Sequence, residues 1–90
     1  MTTLHLGRLL ATPGALRAFA EAQETPLPYL LRHSEGDWGD LDTEDRAANL
    51  RALREGTRVL SAYRLSDGTR VWCITEADRH STTILLPEEY

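Results

Sequence analysis

Apolar residues recur at helical spacing through the first half of the chain and at alternate positions through the second, so a helical part is followed by a sheet part. Thr12-Pro13-Gly14 reads as an N-cap followed by proline at the first helical position, where its missing N–H costs nothing. The spacing predicts a helix from about Pro13 to Gln23, with Leu16, Phe19 and Ala20 on one face. Thr25-Pro26 repeats the start signal for a short second helix carrying Leu27, Leu30 and Leu31, with Pro28 tolerated in its first turn. Gly36-Asp37-Trp38-Gly39 breaks that pattern as a turn. A third helix, about Thr43 to Glu55, follows: Asp42 is its N-cap, Glu44 and Asp45 oppose the helix dipole, and Gly56 ends it.

From Thr57 the period becomes two. Thr57 to Leu65 and Thr69 to Glu76 are β-branched and aromatic runs joined through Asp67-Gly68, a dipeptide suited to a tight type I′ hairpin. With those two residues as the loop, Tyr63 sits opposite Trp72 and Ala62 opposite Cys73. Val59, Tyr63, Leu65, Trp72 and Ile74 then share one face, and Leu60, Ala62, Val71 and Cys73 the other. Both faces are partly apolar: one should meet the helices, and the other is suited to a partner chain. A polar turn, Glu76 to Arg79, precedes a third strand from Ser81 to Leu86, and Pro87 ends it. The segment Leu4 to Leu10 fits a strand or a helix fragment equally well. The fold class expected is α+β, about three short helices followed by a three-stranded antiparallel meander, in a single domain over residues 1–90.

Composition narrows the function classes. At 90 residues, 41% hydrophobic and 27% charged, the chain can close one core and is neither disordered nor fibrous in type. No apolar run approaches the roughly 18 residues that span a bilayer, and His5 and Arg8 interrupt Met1 to Leu10, so a cytoplasmic protein without membrane contact is expected. The lone Cys73 excludes an internal disulfide. The net charge is −4, and all ten basic residues are arginines; this balance argues against coating duplex DNA, while a local arginine patch could bind RNA.

Two clusters carry candidate chemistry. Thr75 to Thr82 holds Glu76, Asp78, Arg79 and His80, a set able to perform acid–base work on a phosphodiester with Arg79 holding the phosphate. Such residues also gather at sheet turns simply for solvation. The second cluster, His33 to Asp40, brings an imidazole near Asp37 and Trp38; it is either a loop presenting an indole or a tryptophan that plugs the core. The carboxylates Asp37, Asp40, Asp42, Glu44 and Asp45 lack the spacing of a calcium loop, and His5, His33, His80 and Cys73 lack that of a zinc site, so neither metal nor cofactor is expected. Cys73, inside a strand, reads as a small buried hydrophobe.

Gly36-Asp37-Trp38-Gly39, Leu60-Ser61-Ala62-Tyr63, Ile74 to Arg79 and Thr82 to Tyr90 together resemble a family of short uncharacterised bacterial proteins often labelled "plasmid-related". That resemblance implies a mobile-element setting and carries no catalytic residues. Trp72 to Thr83 is similar, over a dozen residues, to barnase-like small ribonucleases, in which a turn histidine is the general acid and a strand glutamate the base. Asp78 matches the aspartate, whereas Arg79 stands at the histidine's position and His80 comes one residue late. Two readings follow. The first is an accessory interaction module that binds another protein, or a second copy of itself, through Asp37, Trp38, Tyr63 and Trp72. The alternative is a metal-independent ribonuclease using His33, Glu76, Arg79 and His80.

Overall fold

The computed structural model describes residues 4–90; Met1 to Thr3 lie outside the described residues, and with them the start of the Met1 to Leu10 segment. The elements in order are β1 (Arg8–Ala11), α1 (Pro13–Ala22), α2 (Leu27–Ser34), α3 (Thr43–Glu55), β2 (Val59–Arg64), β3 (Arg70–Thr75), β4 (Ser81–Leu85) and a 3-10 turn (Pro87–Glu89). The class is α+β. Among the described residues the sheet has four strands in the order β1-β4-β3-β2, with β1 parallel to β4 and the rest antiparallel. The expected three-stranded meander is therefore corrected to a mixed sheet. Its fourth strand comes from the segment whose local pattern chose no element, because a parallel pairing over some seventy residues leaves no local trace.

Helix boundaries follow their caps. The Thr12 hydroxyl accepts from the Ala15 amide at 3.1 Å, and the Asp42 carboxylate from the Asp45 amide at 2.8 Å. Gly56, at φ 73°, ends α3 in the left-handed conformation that glycine adopts without strain. The start of α2 departs from expectation: Pro26 is itself helical and no side chain caps it. Glu24 anchors this corner instead, accepting from the Tyr29 hydroxyl at 2.5 Å and from the Ser66 amide at 2.6 Å.

The hairpin loop has three residues, Ser66, Asp67 and Gly68. The Leu65 amide donates to the Thr69 carbonyl at 2.8 Å, and Gly68 takes φ 90°. The extra residue moves the register by one, so Tyr63 faces Val71, Ala62 faces Trp72 and Ser61 faces Cys73. This corrects the expected pairs and the expected faces. Val59, Ser61, Tyr63, Val71, Cys73, Thr75, Thr82 and Ile84 form the inner face, all buried. Ala15, Ala18 and Phe19 of α1 and Tyr29 and Leu30 of α2 pack on it. Leu60, Ala62, Trp72, Ile74 and Leu85 form the outer face. Among the described residues the α-helices pack with the inner-face residues, and the C-terminal residues cross the outer side, with the Tyr90 ring 5.7 Å from Trp72 and beneath the Arg58 guanidinium at 5.5 Å.

The two sheet edges are finished differently. Along β2, the Asn49 side chain accepts from the Leu60 amide at 3.1 Å and donates to its carbonyl at 2.6 Å. At Ala62, the amide donates to Trp38 at 3.1 Å and the carbonyl accepts from Asp40 at 2.7 Å. That edge is closed. The β1 edge has no comparable cover among the described residues.

Candidate functional site

The four residues of the acid–base set occupy different environments. His33 is fully buried between the sheet and α2, its Nδ1 2.5 Å from the Ser61 hydroxyl and its Nε2 2.8 Å from that of Thr75. Thr75 and Thr82 hydroxyls lie 2.7 Å apart, and Thr82 donates to the Leu6 carbonyl at 2.7 Å. A carbonyl can only accept, so the Thr82 proton is committed to it and Thr75 must donate to Thr82. Thr75 then accepts from His33, which places the imidazole proton on Nε2 and leaves Nδ1 to accept from Ser61. The tautomer follows from the far end of the chain of bonds. Burial holds the His33 pKa down at about 4, so the ring is neutral near pH 7.

Arg79 sits at φ 62° in the turn after β3 and turns its guanidinium inward. It donates to the carbonyls of Thr57 at 2.6 Å, Glu76 at 3.1 Å and Ala52 at 3.1 Å, tying the end of α3 to the polar turn. Its donors therefore serve backbone carbonyls. Glu76 points to the outer side and pairs with Arg58 at 3.7 Å. His80 is exposed, its Nδ1 3.5 Å from the Asp78 carboxylate. Glu76, Asp78 and His80 share this exposed corner, whereas His33 lies within the core.

The residues predicted to bind a partner divide similarly. Trp38 is only 7% exposed and packs with Ala52 and Val59, so its loop anchors the indole. Asp37 pairs with Arg32 at 2.7 Å, accepts from the Gly39 amide at 3.2 Å and offers its carbonyl to the Tyr63 hydroxyl at 2.6 Å. The Arg32 hydrogen bond holds the Asp37 carboxyl below the usual carboxylate range. Tyr63 is buried, which raises its pKa, and the Arg32 guanidinium lies 4.6 Å over its ring. Cys73 is enclosed as well, and burial pushes its thiol up to about 12. Of the four, Trp72 faces the outer side.

Trp72 borders a groove of about 370 Å³ between β3 and the C-terminal turn, lined also by Thr69, Arg70, Leu86, Pro87 and Glu88. Arg70 stands directly opposite Arg64 in the β2–β3 register. Like charges so placed repel, and among the described residues neither arginine has a carboxylate partner. Sequence reasoning passed over this pair because a two-residue loop sets Arg64 against Val71 and Leu65 against Arg70. This groove has a cationic wall at Arg70, an acidic wall at Glu88 and an aromatic surface at Trp72. No family model, curated protein or solved structure matches the chain.

Proposed function

We propose that this chain is a protein-interaction module that holds an acidic, partly apolar segment of another protein against its outer sheet face. Such a role suits the accessory mobile-element setting that the plasmid-related resemblance implies. The observation that carries the reading is the unpaired Arg64–Arg70 couple beside the Trp72 groove. Two exposed arginines at directly opposed strand positions favour a carboxylate that bridges them, since a guanidinium can bind one through two parallel N–H groups. Glu88 across the groove repels a run of phosphates but not a peptide carrying single carboxylates between apolar residues. The chain's net charge of −4 weighs the same way.

The test is selection of a displayed random-peptide library on the purified chain. Peptides enriched in Asp or Glu beside aliphatic residues are expected, with binding lost in Arg64→Glu and in Trp72→Ala but kept in Arg51→Glu, a change on the exposed side of α3. Selected peptides without acidic enrichment, or binding indifferent to Arg64 and Trp72, would overturn the reading. Binding of a single-stranded oligonucleotide that depends on the same residues would replace the protein partner with a nucleic acid.

A ribonuclease is the second reading, favoured by the exposed corner where His80 approaches Asp78 at 3.5 Å beside Glu76. With His33 enclosed and Arg79 bound to carbonyls, that corner must act on its own. Cleavage of labelled RNA in EDTA, abolished by His80→Ala and by Glu76→Gln, supports it. Absence of cleavage removes it.

A further inference from the structure

The contrast between the two sheet edges carries a second interaction surface, separate from the Trp72 groove. In β1 the Arg8 amide donates to His80 at 2.9 Å and the Thr12 amide to Ile84 at 3.1 Å, so the even-numbered residues bond to β4. The alternation of a strand then turns the N–H and C=O groups of Leu9 and Ala11 outward, away from the sheet. No other described segment meets them. Leu9 and Leu10 remain 48% and 43% exposed, and the strand contains no proline, Arg8 at its start being its one charge.

We infer that β1 is a self-association edge, on which a second copy of this chain adds its own β1 in antiparallel orientation. The occupant follows from the pattern of outward groups. Only Leu9 and Ala11 present them, so the register that uses all of them sets Leu9 opposite the partner's Ala11 and Ala11 opposite the partner's Leu9. Four hydrogen bonds form, and Leu10 meets the partner's Leu10 on the two-fold axis as a close, non-hydrogen-bonded pair. Arg8 falls opposite Thr12, so no like charges meet. The outer-face row Leu60, Ile74, Thr83 and Leu10, apolar but for the Thr83 hydroxyl, then continues into the copy across eight strands. Because the axis stands perpendicular to the sheet, the two Trp72 grooves open to the same side. Four strand bonds, one leucine–leucine pair and two leucine–alanine pairs make a small interface, so the dimer is concentration-dependent.

Two kinds of measurement test this. Light scattering on the native chain should give twice the 10.1 kDa chain mass at high concentration and the single mass on dilution. Leu10→Lys, which places like charges on the axis, and Leu9→Pro, which deletes an outward donor while keeping the bonds to β4, should abolish the dimer with the circular dichroism spectrum unchanged. Register is read by cross-linking: across a non-hydrogen-bonded pair the Cα atoms lie within disulfide range, so Leu10→Cys should be captured as a covalent dimer under mild oxidation and Leu9→Cys should not. The native Cys73 is buried and does not compete. A chain that stays monomeric throughout, a dimer that survives Leu10→Lys, or equal cross-linking at both positions would overturn the proposal. If Leu9→Pro fails to fold, Leu10→Lys and the cysteine pair decide alone.

Discussion

Lowering the pH from about 7.5 to about 5 should cost the fold about 2 kcal/mol through a single side chain, His33. The imidazole has a pKa of about 4 when folded, against 6.5 for the free side chain, because burial disfavours its charged form. In the unfolded chain it takes up a proton as the pH falls through 6.5; in the folded chain it does not until about 4. The unfolded state therefore binds more protons between those values. The stabilisation is complete above 6.5 and is lost progressively toward 4, reaching about 3 kcal/mol at the lower end. Glu24, Asp37, Asp67 and Glu89 are held below the ordinary carboxylate range and add losses of the same sign, but at more acid pH. Measurements above about pH 5 thus isolate the histidine. The assay is urea unfolding at several pH values for the native chain and for His33→Gln, whose amide can accept from Ser61 and donate to Thr75 without titrating. Subtracting the two profiles removes every other group. Parallel profiles, or a His33 ring resonance that titrates near neutrality, would refute the buried neutral imidazole and with it the assigned tautomer.

Other expectations concern the edge closure and the tight turns. Asn49→Ala removes both bonds to Leu60 and should cost about 2 kcal/mol in urea, with the Leu60 amide losing protection from hydrogen exchange. Arg79→Met keeps much of the side chain but frees the carbonyls of Ala52, Thr57 and Glu76, and should cost about 2 kcal/mol by thermal unfolding. Gly39→Ala should be worse than either: a Cβ there would lie 2.0 Å from the Ala62 carbonyl oxygen at a φ of 72°, so a loss of about 3 kcal/mol or more is expected in the same melt. Gly36→Ala, with open space around the Cβ but a φ of 88°, should lose only about 1 kcal/mol and serves as its control.

Local chemistry made the helices legible. Asp42 and Gly56 bracket α3 at Thr43–Glu55, the span their capping roles imply, and Thr12-Pro13 starts α1 where the cap requires. The hairpin was legible as a hairpin, but not in register. Asp67-Gly68 suits a two-residue turn as well as the last two positions of a three-residue loop, and that single residue decides whether Trp72 sits with Tyr63 or faces away from it. The site was legible less well. Trp38 and His33 are residue types that serve cores and sites alike, and only packing distinguishes the two uses. Ser61, Thr75 and Thr82 did leave a signal, as hydroxyls at inward positions of otherwise apolar strands, which demand a buried polar companion. The partner is His33, from another element. Arg64 and Arg70 left none, since a cross-strand charge pair exists only once the register is known.

The directional chain from Ser61 through His33, Thr75 and Thr82 to the Leu6 carbonyl also constrains how this sequence can drift over generations. Exchanging one link for an aliphatic residue strands its neighbour's donor or acceptor in a dry interior, a penalty of about 1–3 kcal/mol that a domain this small can seldom absorb. Descendants should therefore keep the whole relay or replace it in concert, with a leucine at the ring's position arriving alongside valines or alanines where the hydroxyls stood.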